Sequence, residues 1–99
     1  MPDLFIDGVW RGALDERTRE IRCPADGSLV GVVDEAGGKD TAEAVAAARR
    51  AFDTGPWPHT PAAERGDLLL RVAGLLARDK DALARAESLD TGKRLVESE

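Results

Sequence analysis

Two adjacent glycines, Gly37 and Gly38, divide this chain into a stretch patterned for strands and a stretch patterned for helices. Ahead of them, residues 1–36 read as strands. Leu4-Phe5-Ile6 and Val9-Trp10 flank Asp7-Gly8, a two-residue signal for a β-hairpin. Thr18 to Arg22 is a short polar strand candidate, and Pro24-Ala25-Asp26-Gly27 supplies a turn. Leu29 to Val33 has the densest β-branched content. Behind the glycines, residues 40–54 read as a helix, with Asp40 as N-cap and Glu43 completing a capping box. Thr41, Val45, Ala48 and Phe52 fall on one helical face. A second row, Ala44, Ala47 and Ala51, is small enough to admit a close neighbour.

Gly55-Pro56 ends that helix. Residues 60–91 form a second helical region, with Thr60 as N-cap and Pro61 as its first residue. Leu68, Leu69, Val72, Leu75 and Leu76 make its apolar stripe, and the polar run Arg78-Asp79-Lys80-Asp81 marks a kink or a restart. Ala82, Leu83, Ala86 and Leu89 carry an apolar face on to Gly92, which can take the left-handed conformation that terminates a helix. Lys93 and Arg94 then set positive charge at the negative end of the helix dipole. Leu95 to Glu99 looks like the first turn of another helix. The expected class is therefore α+β: short N-terminal strands with a hairpin, followed by two to three helices.

Composition removes several functions. The net charge is −5 and the basic residues are scattered, so no patch can track a phosphate backbone and no nucleic-acid partner is expected. No apolar run approaches the roughly 18 residues of a membrane helix, and the acidic start of the chain lacks a secretory signal core. A single cysteine cannot form an internal disulfide, which fits a reducing, cytoplasmic setting.

Candidate reactive groups are few. Cys23 precedes Pro24 and shows no base or cation arranged to activate it, so it reads as a structural thiol. His59 sits in a Pro-flanked loop. With one Cys and one His, a four-ligand transition-metal site cannot form. Gly37-Gly38-Lys39-Asp40 lacks the spacing of a phosphate-binding loop, and Asp40 would repel phosphate at the helix start. Asp90 stands apart from the other carboxylates: it lies near a helix C-terminus, where the dipole disfavours negative charge. A cation or backbone N–H groups would offset that.

Five segments, taken in order, carry a resemblance. They are Leu4 to Trp10; Pro24-Ala25-Asp26-Gly27; Ala44 to Phe52 with Gly55-Pro56-Trp57; Pro61-Ala62-Ala63-Glu64-Arg65; and Leu89-Asp90-Thr91-Gly92-Lys93. Their joint order and spacing resembles the N-terminal portion of the aldehyde dehydrogenase superfamily across nearly all of residues 1–99. The pattern departs at Arg22-Cys23-Pro24, where the family commonly has Ile- or Val-Asn-Pro. Cys23 thus stands where a structural Asn is usual and is not the family's catalytic cysteine.

The resemblance implies an NAD- or NADP-dependent oxidation of an aldehyde to a carboxylic acid. In it a cysteine thiolate attacks the aldehyde, hydride passes to the cofactor, and a glutamate-activated water releases the acid. None of those catalytic groups, and none of the family's cofactor-binding residues, maps onto this chain. The resemblance therefore implies that residues 1–99 are the front of a longer enzyme, inactive alone, whose partners are the remainder of that enzyme and further copies of it. One family feature does map here, a structural monovalent cation, K+ or Na+. Its ligands would be the carbonyls of Ile21 and Arg22 and the carboxylate of Asp90, with a further carbonyl from outside the chain. The ending Leu-Asp-Thr-Gly-Lys-Arg-Leu-Val-Glu-Ser leans toward betaine-aldehyde and amino-aldehyde enzymes, with reductive or succinate-semialdehyde members remaining open. The competing expectation is a non-enzymatic helical interaction or oligomerisation module, in which the two stripes would cover one another or a partner.

Overall fold

The computed structural model describes residues 2–99. Strands β1 (Leu4–Ile6), β2 (Val9–Arg11), β3 (Thr18–Arg22) and β4 (Leu29–Asp34) precede helices α1 (Gly38–Thr54), α2 (Ala62–Arg78), α3 (Lys80–Thr91) and the single turn α4 (Leu95–Ser98). A turn of 3-10 helix covers Trp57–His59. The strands form two separate two-stranded sheets, β1 with β2 and β3 with β4. The strands-then-helices order is the one expected, and the polar run after Arg78 proves to be a restart: Asp79 ends α2 and Lys80 opens α3.

The β1–β2 pair is antiparallel, with Leu4 opposite Arg11, Phe5 opposite Trp10 and Ile6 opposite Val9. Asp7 and Gly8 both have positive φ, 53° and 79°, as a type I′ turn requires. Phe5 and Trp10 form a cross-strand aromatic pair with ring centroids 5.0 Å apart.

The chain divides into two compact units. The first holds residues up to Glu20 together with Val32–His59, and the second holds Ile21–Gly31 with Thr60–Glu99. In the first unit the alanine row of α1 meets β1: Phe5 and Ile6 line a shallow groove with Ala44, Ala47 and Ala51. The other row stays bare. Val45 and Phe52 are exposed, and the Arg49 guanidinium lies 5.0 Å over the Phe52 ring.

What fastens this unit is polar. Asp40 is 1% exposed. It accepts from the Gly37 N–H at 3.0 Å and the Leu14 N–H at 3.3 Å, and its Oδ1 lies 3.1 Å from Arg11 Nη2. Arg11 also donates to Glu43 at 2.7 Å. One carboxylate thereby joins the end of β2, the loop after it and the first turn of α1. The Gly37 N–H foremost, then the Leu14 N–H and Arg11, hold its carboxyl below the ordinary range although burial pushes the other way.

Two helix starts differ from the sequence expectation. Asp40 is not the N-cap of α1. Gly37 is: its carbonyl takes the Thr41 N–H at 3.0 Å, and Asp40, at the third helical position, reaches back to the Gly37 N–H. A carboxylate there satisfies a free N–H and faces the positive end of the dipole. Nor is Pro61 the first residue of α2. It is the N-cap, with ψ 147°, and its carbonyl accepts from the Arg65 N–H at 3.1 Å.

In the second unit, burial is confined to small side chains. Cys23 and Ala84 are buried, and α2 buries nothing. Gly92 ends α3 at φ 76°, and a Cβ there would sit 3.1 Å from Pro24 Cγ and 3.2 Å from the Ala25 nitrogen. The helix end therefore docks directly on the hairpin turn.

Two expectations follow. Gly92→Ala should cost about 1–2 kcal/mol from the left-handed backbone alone, and Gly92→Asn, which tolerates that backbone, should still lose stability through the Pro24 contact; urea unfolding measures both. For Asp40, the depressed folded value means its contribution is full above the ordinary carboxylate value of 3.8 and is lost as pH falls through the lower folded one. Asp40→Asn should be less stable than the parent at neutral pH, and that gap should close below pH 3.8. A gap constant with pH in denaturation series removes this role.

Candidate functional site

The three residues proposed from sequence as cation ligands all fall in the second unit. Ile21 and Arg22 are the last two residues of β3, Ile21 half-buried and Arg22 exposed. Beyond them the chain turns back through Cys23–Ser28. The Cys23 N–H donates to the Ser28 carbonyl at 2.8 Å, and the Gly27 N–H donates to the Cys23 carbonyl at 2.7 Å. Asp26 accepts from the Ser28 N–H at 2.9 Å and the Ser28 hydroxyl at 2.7 Å. Those bonds, with a lesser one from the Cys23 thiol, hold the Asp26 carboxyl below its ordinary range. The Arg22 guanidinium donates to the Gly27 carbonyl at 3.1 Å, so the arginine side chain braces the turn.

Asp90 arrives from α3. It lies two residues before Gly92, whose backbone rests against Pro24 and Ala25. The packing thus brings the end of α3 onto the turn that follows Ile21 and Arg22. The last turn of α3 carries no basic residue, and Lys93 pairs instead with Glu87 at 2.7 Å. Asp90 itself is exposed, and no donor among the described residues engages its carboxylate. Two carbonyls and a carboxylate are the hard oxygen donors an alkali ion prefers, but they are only part of a coordination shell.

The other candidates resolve as scaffold. Cys23 is buried, its backbone closes the hairpin, and its thiol leans on Asp26. His59 is exposed in the 3-10 turn, its N–H donating to Pro56 at 3.0 Å. Among the described residues, no group of three or more His, Cys, Asp or Glu is placed to hold a metal ion. At the start of α1, the Asp40 carboxylate itself occupies the position where a phosphate would bind, so the Gly37-Gly38 stretch is not an anion cradle. Sequence reasoning missed the Arg11–Asp40–Glu43 cluster. The available signal was an acidic residue three positions after a Gly, which is half of a capping box.

Residues 10–99 match the family model described as the aldehyde dehydrogenase family. The chain is 48% identical over 95 residues to betaine aldehyde dehydrogenase of Bacillus subtilis, a match covering 96% of this chain and 19% of that protein. It is 45% identical over 93 residues to aminoacetaldehyde dehydrogenase of Pseudomonas aeruginosa, covering 94% of this chain and 19% of that protein. Among solved structures, betaine aldehyde dehydrogenase from Staphylococcus aureus in complex with NAD+ superposes with a TM-score of 0.89 at 39% identity, over 95% of this chain and 19% of that one. The strands-then-helices order corresponds to the N-terminal part of that fold. The chain spans 19% of the length of these relatives. The chain belongs to the aldehyde dehydrogenase family.

Proposed function

We propose that residues 1–99 are the N-terminal segment of an NAD(P)-dependent aldehyde dehydrogenase subunit that oxidises an aldehyde to a carboxylic acid. The chain's own contribution is scaffold and part of a structural cation site. The observation that carries this reading is the bare stripe of α2 in a chain matched along residues 10–99 by the family. Leu68, Leu69, Val72, Leu75 and Leu76 are 38–63% exposed. Covering what remains exposed on these five side chains is worth on the order of 5 kcal/mol. The missing cover is the rest of the subunit. A free-standing interaction module would instead meet these faces with a separate partner, and the family match along residues 10–99 favours the subunit.

The substrate class is a betaine-like or amino-aldehyde. Support comes from the lean of residues 89–98 and from similarity to the Bacillus subtilis and Pseudomonas aeruginosa relatives. NAD is the favoured cofactor, since the Staphylococcus aureus relative is complexed with NAD+. The residues present here do not fit that cofactor, because the one glycine-led helix start among the described residues is closed by Asp40. Its site lies in other parts of the enzyme, and this chain supplies no catalytic step. The Ile21 and Arg22 carbonyls with the Asp90 carboxylate hold K+ or Na+, completed by oxygen from outside the chain. The bound cation neutralises Asp90 at its unfavourable helix end. The whole enzyme is a cytoplasmic homo-oligomer: the free thiol of this segment fits a reducing compartment, and the family resemblance supports the assembly.

The decisive experiment is to read the frame beyond Glu99 and assay its product for aldehyde-dependent NAD(P)H formation. A frame without a Cys and a distant Glu in the family's contexts overturns the proposal. The 99-residue chain alone should show no turnover, and turnover that survives Cys23→Ser contradicts the assignment. Alone it should also self-associate and bind an apolar dye; a monodisperse chain without dye binding counts against the scaffold role. In the full-length enzyme, thermal unfolding should occur at higher temperature in potassium chloride than in choline chloride. Asp90→Ala should abolish that difference, and an unchanged difference removes Asp90 as a ligand.

A further inference from the structure

We draw no further inference here: the strongest candidate, the exposed leucine and valine patch along α2 from Leu68 to Leu76, carries nothing beyond the intramolecular packing already proposed, because nothing in the structure shows what covers it.

Discussion

A carboxylate withdrawn from water at position 40 organises the first unit. Burying an anion is costly unless donors replace its hydration, and here Gly37, Leu14 and Arg11 do so. Each donor belongs to a different piece of chain, so meeting the electrostatic demand of Asp40 fixes where three segments lie. Arg11 is in turn shared with Glu43 one helical turn further on. The hairpin can therefore sit against α1 with Leu4 and Ile6 only half-buried and with Phe5, Val9 and Trp10 largely in solvent.

Local devices of the same kind recur along the chain. A type I′ turn at Asp7-Gly8, a loop closure in which Cys23 bonds to both Ser28 and Gly27, and a left-handed stop at Gly92 each satisfy backbone groups without needing a core. Apolar burial plays a small part by comparison. The buried hydrophobic side chains among the described residues are Ala13, Cys23 and Ala84, all small, while leucines and valines from β4 to α4 remain open. Segments with this balance have their shape specified by turns and caps and their stability supplied from elsewhere, since a helix the length of α2 is marginal in water unless its apolar face packs.

The features legible in sequence were those with short-range causes. Asp7-Gly8 announces its hairpin, Gly92 its helix end, and the β-branched content of Leu29 to Val33 its strand. The alanine row of α1 reads as a site of close approach, though only the fold shows that β1 faces it across a shallow groove. The misplaced helix starts had a different origin. Asp40 and Thr60 both carry good capping side chains, and propensity favours them at the N-cap. In the fold, Asp40 is drawn inward by Arg11 and Leu14, contacts separated by 29 and 26 positions that no local pattern encodes. The proposed cation ligands rest on family resemblance alone, because backbone carbonyls leave no signature in side-chain sequence.

The hairpin tip has one further consequence. The only thiol in the chain is 6% exposed and sits between the two backbone bonds that close the turn. An alkylating reagent can reach that sulfur chiefly when the tip opens, so its reaction rate counts local openings at a place where α3 also comes to rest. Access to the Cys23 sulfur thus depends on the same hairpin tip that receives the end of α3.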